Sequence, residues 1–187
     1  MTQRDQSLLL WFSEVGRSDA ELVGGKGASL GELYRELVPR GVRVPNGFTT
    51  TACAYRRFLE APVKPDAWLE AEEPEGMAKV RAAAVRGASL DDALRACFEG
   101  ADASDQLDMY GRTALARSLV VATPIPADIA ESLELGYRQL CEEYGAEVDV
   151  AVRSSATVED SADASFAGQC ESYLNVNGFD EVLLRWK

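Results

Sequence analysis

The sequence predicts a mixed α/β fold, and three features carry that expectation. Ile129, Leu133, Tyr137, Leu140 and Tyr144 recur at the three- and four-residue spacing of an amphipathic helix, with Gly145 to close it. Val148 to Arg153 alternates as a strand does, and Glu171 to Val176 forms a second such run beyond a polar loop of small residues. Near the N-terminus, Ser7 to Ser13 is apolar and aromatic, in the manner of a buried strand. At 187 residues the chain suits one domain with a sizeable core and is short for two large ones.

The remaining elements follow in chain order. After a polar turn at Gly16 to Asp19, the stretch Leu22 to Gly31 is glycine-rich and opens into a helix from Ala28. Leu30, Leu33, Tyr34 and Leu37 would share its apolar face, and Pro39 with Gly41 end it. Pro45-Asn46-Gly47 marks a turn or extended entry, and Thr49, Thr50 or Thr51 can cap a helix through Ala54, Tyr55, Phe58 and Leu59. Ala61 to Gly76 holds three prolines and five acids, a solvated loop around a Trp68-Leu69 anchor. Met77 to Arg86 and Ser89 to Phe98 are helical in pattern, the second capped by Ser89 with Asp92 three residues on. Glu99 to Asp108 is polar and weakly structured, and Leu119 to Ala122 is a short apolar run. The periodic helix begins near Pro126, where proline fits the first turn. Asn177-Gly178 is a turn, followed by a helix from Asp180 that stops at Lys187 without a cap.

Charge and composition narrow the function. Nineteen basic residues face 31 acidic ones, a net charge of −12. Such a surface repels phosphate backbones and anionic lipid, so neither nucleic acid nor membrane is an expected partner, and an anionic ligand needs a local basic pocket. No apolar run is long enough to span a bilayer and no signal peptide is evident, so a cytoplasmic location is expected. Cys53, Cys97, Cys141 and Cys170 lie far apart, without a zinc or disulfide pattern, and no metal site is expected. The chain has no histidine, which excludes a Ser-His-Asp triad, a His-ligated metal and a phosphohistidine of its own.

Two segments carry chemistry. In Gly24-Gly25-Lys26-Gly27 the glycines let backbone N–H groups approach a phosphate, a helix N-terminus adds partial positive charge, and Lys26 supplies a point charge. The spacing fits neither a Walker A loop nor a dinucleotide fingerprint. A tight turn with an exposed lysine is the plainer alternative. In Val150-Ala151-Val152-Arg153-Ser154-Ser155-Ala156-Thr157, an arginine at a strand end precedes hydroxyls and a Gly/Ala/Ser-rich loop to Gly168. A guanidinium there offers a bidentate fork for phosphate, and the alternative is a solvated hairpin loop with a surface arginine.

Leu22 to Leu33 and Val150 to Val176, with Val44-Pro45-Asn46-Gly47-Phe48-Thr49-Thr50-Thr51 and Ala54-Tyr55 between them, closely resemble the N-terminal nucleotide-binding domain of the phosphoenolpyruvate synthase (pyruvate, water dikinase) family. Rifampicin phosphotransferase and pyruvate, phosphate dikinase share that domain. The resemblance implies an ATP-grasp type domain, of which residues 1–187 would be the N-terminal portion. It implies that Lys26 contacts ATP phosphates and that Arg153 is the catalytic arginine that neutralises the transferred group. Ser165 to Gln169, Gly168 included, matches the loop over the phosphates, and Gln169 and Ser172 match positions near the nucleotide. Glu159 and Asp160 match an acidic pair for which loop capping is the plainer role.

Asn46 stands where the family has a second proline, a change expected to alter only turn stiffness. Cys170 and Ser172 replace a glutamine and a threonine, and Ser161-Ala162 a Leu-Pro pair. The family's adenine contacts, magnesium ligands, phosphorylated histidine and pyruvate-binding barrel fall outside this sequence. ATP and Mg2+ are therefore the expected cofactors, with the metal ligands mostly elsewhere. The expected partners are the missing domains or a complementing subunit, and self-association through an exposed half-domain face near Ala151 and Val182 to Trp186 is also expected. Alone, the chain is expected to be inactive. A non-catalytic nucleotide-binding or regulatory module and a rifampicin phosphotransferase-like fragment are the rival expectations.

Overall fold

A computed structural model describes residues 4–63, 80, 82, 89–157 and 171–187. The proline-rich loop, the Trp68-Leu69 anchor and nearly all of the helix expected at Met77 to Arg86 lie outside the described residues. The fold mixes helices with small antiparallel sheets, and its contacts divide it into two compact units: Met1–Arg56 with Ala127–Trp186, and Arg57–Pro126 with Lys187.

In the first unit, β1 (Leu9–Trp11) pairs antiparallel with β2 (Phe48–Thr50), Trp11 opposite Phe48. Their rings meet edge to face with centroids 5.6 Å apart, the geometry that aromatic quadrupoles favour. β2 is a strand that the sequence reads only as a source of caps; three residues are too few for a period of two to register. The cap itself is Thr51, whose hydroxyl accepts from the N–H groups of Cys53 (3.2 Å) and Ala54 (3.4 Å) at the start of α2 (Ala52–Leu59).

Helix α1 (Ala20–Leu37) begins before the glycines, so the expected glycine-rich loop is reduced to a kink at Gly24. Its buried residues are Val23, Gly24, Gly27, Ala28 and Gly31, whereas Leu33 of the expected apolar face is 48% exposed. The physical reason is close approach. A Cβ on Gly31 would sit 2.3 Å from Val15 Cγ2 and 2.6 Å from the Val15 carbonyl oxygen. A seam without side chains lets the helix backbone press onto Val15, which is fully buried with Leu10, Val23 and Ala28 in one core cluster.

Helix α5 (Ala127–Tyr144) follows its predicted period: Ile129, Leu133, Tyr137 and Leu140 are buried, and Gly145 at φ 116° closes it. Between them in chain order, the second unit contributes α3 (Leu90–Phe98) and α4 (Gln106–Ala122). Ser89 caps α3 by accepting from Asp92 N–H (3.2 Å), as its sequence predicts. Asp105 caps α4 through the N–H groups of Leu107 and Asp108, both at 3.1 Å. Helix α4 is not read from the sequence because exposed Leu107, Tyr110 and Val121 blur its apolar stripe. Arg112, only 8% exposed, is satisfied there: Nε donates to Asp108 (2.6 Å) and Nη1 to the carbonyls of Cys97 (2.8 Å) and Glu99 (3.0 Å). It thereby closes the C-terminal end of α3.

Strands β3 (Val150–Arg153) and β4 (Ser172–Val176) form the second antiparallel pair and lead into α6 (Phe179–Trp186). The register steps from Val150↔Val176 to Val152↔Tyr173, so β4 carries one extra residue, and Asn175 adopts φ 55° beside it. Val152 and Tyr173 face a cluster around Tyr137, Val176 and Val182. The Tyr137 hydroxyl donates to the Val148 carbonyl (3.1 Å) and accepts from Gly178 N–H (2.9 Å), stapling the open end of the hairpin, just before β3 and just after β4, to α5. Val182 is 5% exposed in this cluster, so the sticky face expected along α6 does not include it; Leu184 at 55% is the exposed position.

Candidate functional site

The site begins with a backbone break. Gly24 sits at φ 78°, ψ 162°, a region essentially closed to residues with a side chain, and it separates the first turn of α1 from the segment that carries Lys26. A new helical N-terminus thus opens directly after Gly24, with N–H groups that need partners.

Those partners come from the far end of the chain. Gly27 N–H donates to Ser155 Oγ at 3.0 Å, and Ser155 Oγ donates to the Val23 carbonyl at 2.8 Å. Gly25 N–H donates to the Ala156 carbonyl at 3.1 Å. A Cβ on Gly24 would lie 2.2 Å from Ser155 Oγ, so the glycine makes room for the serine. Ser155 is in effect an N-cap supplied from 128 residues away. The two N–H groups of Gly25 and Gly27, expected from the sequence to cradle phosphate, are engaged by the chain itself.

Arg153 ends β3 two residues before that cap, directly opposite Ser172 on β4. Directly paired residues share a face, and both side chains are exposed on the face away from Val152 and Tyr173. The next step of the hairpin is held by Ser154 N–H donating to the Glu171 carbonyl at 3.4 Å. Lys26, Arg153 and Ser172 therefore lie along one hydrogen-bonded path: the turn after Gly24, the residues following β3, and the start of β4. Gly168, Gln169, Glu159 and Asp160 lie outside the described residues. Ser155 is in the sequence one of two serines directly after Arg153, but no local spacing marks a cap for a helix so distant.

Asn46 does more than soften a turn. Its backbone N–H donates to the Tyr144 hydroxyl (2.7 Å) and its side-chain amide to Glu143 (2.8 Å). A proline there would have no N–H to give. Among the described residues, no three His, Cys, Asp or Glu side chains converge as metal ligands, and no helix is long and apolar enough to cross a membrane.

Residues 20–187 match the family model described as pyruvate phosphate dikinase, AMP/ATP-binding domain. The chain belongs to that family, and the match takes in the second compact unit, the first from residue 20 onward, and Lys26, Arg153 and Ser172. It is similar to phosphoenolpyruvate synthases of Synechocystis sp. (40% identity over 98% of this chain and 20% of the relative) and Aquifex aeolicus (39%, over 98% and 19%). The phosphoenolpyruvate synthase of Escherichia coli is 35% identical over 96% of this chain and 19% of its own length. The chain thus spans about a fifth of the length of these relatives.

Proposed function

We propose that this chain is the ATP-binding portion of a phosphoenolpyruvate synthase-like phosphotransferase, built as part of an ATP-grasp type domain to which both compact units belong. The observation that carries the reading is the hydrogen-bonded junction of the Lys26 turn with the residues following Arg153. It ties the backbone segments of two cationic residues, Lys26 and Arg153, far apart in the sequence, to one neighbourhood in a protein of net charge −12. Such a local basic site is what a triphosphate requires.

In this reading Lys26 is a point charge for the phosphate oxygens. Arg153 acts as the catalytic cation whose planar fork meets the charge that builds on the transferred phosphoryl group. Ser172, beside Arg153, offers a hydroxyl to the nucleotide, and Gly168 and Gln169 complete the loop over the phosphates. Mg2+ arrives with ATP, and we assign it no ligand among the described residues. The parent reaction would convert ATP, pyruvate and water to phosphoenolpyruvate, AMP and phosphate. A chain without histidine needs further domains or a complementing subunit for the phosphohistidine and for pyruvate. The setting of such a reaction is the cytoplasm.

Isothermal titration with Mg-ATP tests the site. The wild-type chain is expected to bind, and Lys26→Ala and Arg153→Ala are each expected to weaken binding about tenfold or more, the worth of a charge-assisted hydrogen bond. Affinity unchanged in both variants would overturn the assignment.

A further inference from the structure

We propose that Ser155 is a positioning residue for nucleotide binding: it locks the Arg153 end of β3 onto the turn that carries Lys26. This inference rests on the nucleotide reading above and deepens it. It starts from a hydroxyl that both donates and accepts within the protein. Ser155 Oγ accepts from Gly27 N–H and donates to the Val23 carbonyl, one bond on each side of the Gly24 break. A serine hydroxyl has one proton to donate, and here that proton goes to Val23. With its donor committed, it is poorly placed to serve the ligand directly.

The same group restrains two segments at once. On the α1 side it spans the kink, so the direction of the helical segment carrying Lys26 depends on it. On the β3 side it is two residues from Arg153, and the Gly25–Ala156 hydrogen bond of 3.1 Å extends the contact by one residue. The half-buried junction is also sterically specific, since any side chain at Gly24 would collide with Ser155 Oγ. Long cationic side chains lose much rotamer freedom when they converge on one ligand, and a preset backbone reduces the part of that cost that comes from placing their bases.

The test is a double-mutant cycle read by Mg-ATP titration on the full chain: wild type, Ser155→Ala, Arg153→Ala and the double variant, all held below their thermal midpoints. Ser155→Ala is expected to weaken Mg-ATP about fivefold in the wild-type background, the net worth of roughly one hydrogen bond. In the Arg153→Ala background its further effect should be under about twofold, because the placement of Lys26 relative to Arg153 no longer matters once the guanidinium is gone. Amide hydrogen exchange at Gly27 should speed up in Ser155→Ala without nucleotide present. Ser155→Cys keeps the shape with weaker hydrogen bonding, is expected to show the same pattern at smaller size, and serves if the alanine variant does not fold.

The outcomes separate the two ideas. Wild type that does not bind Mg-ATP, or that binds it as well without Arg153, overturns the nucleotide reading and this proposal together. Binding that depends on Arg153 but is unaffected by the Ser155 variants, or weakened equally in both backgrounds, overturns the positioning role alone.

Discussion

The second unit and the α1 segment of the first cap their helices by different means. In the second unit Ser89 and Asp105 cap the helices that directly follow them, each with a side chain that bonds two or three residues ahead. In the first unit Asp19 stands at the N-cap of α1, yet its carboxylate turns away to two N–H groups of Arg4 (both 2.8 Å) and to Gly16 N–H (2.9 Å). The segment after Gly24 takes its cap from Ser155 instead. A local cap stabilises one helix. A remote cap also joins the two parts of the chain that carry the candidate site.

The largest expected difference between the two arrangements comes from Gly24→Ala. The new Cβ would overlap Ser155 in a backbone conformation reserved for glycine, at a cost on the order of 3 kcal/mol in urea denaturation. Mg-ATP affinity should fall with it, because the junction opens. Asp105→Ala sharpens the contrast: a loss of about 1 kcal/mol, typical of a local cap, with Mg-ATP affinity unchanged. A drop in affinity in that variant would show that local and remote caps are not separable in this protein.

The smallest effect is electrostatic. The Arg4 guanidinium, hydrogen-bonded to Asp19, holds that carboxyl below its usual value against the opposing pull of burial. A carboxylate with a depressed pKa contributes stability above the unfolded value near 4 and loses it as pH falls through the folded value. Arg4 is 42% exposed, so solvent screening keeps this below about 1 kcal/mol. Asp19→Asn should therefore lower stability at pH 7 slightly and flatten its decline below pH 4, as read from urea midpoints across that range.

How much was legible in the sequence follows the same division. The Ser89 cap, a threonine cap from among Thr49, Thr50 and Thr51, the 3.6-residue period of α5, the two strands of the β3–β4 hairpin and the Asn177-Gly178 turn are local codes, and each is where its residues say. The buried face of α1 is not, because Leu30, Leu33 and Leu37 dominate any hydrophobic count, while Gly24, Gly27 and Gly31 carry no hydrophobic signal at all. Their role exists only once Val15 and Ser155 arrive against them. At the candidate site, Lys26 and Arg153 are legible from their local settings and from family resemblance, Ser172 from resemblance alone, and Gly168 and Gln169 lie outside the described residues. Ser155 carries no local signal, since its partners are more than 120 residues away. The role of Asn46 is hidden for a like reason: Tyr144, 98 residues on, gives its N–H a purpose.

By itself the sequence determined the secondary elements with strong local periods and caps, the acidic balance that confines an anion to a local basic site, and the family to which the chain belongs. Tertiary structure alone decided which face of α1 is buried, and that the Gly25 and Gly27 N–H groups serve the chain. It also decided that a serine beside Arg153 would close the helix carrying Lys26. The reason is physical. Periods and caps are encoded within a few residues, whereas close backbone approach and a shared hydroxyl are set by pairs of segments whose encounter no local pattern records.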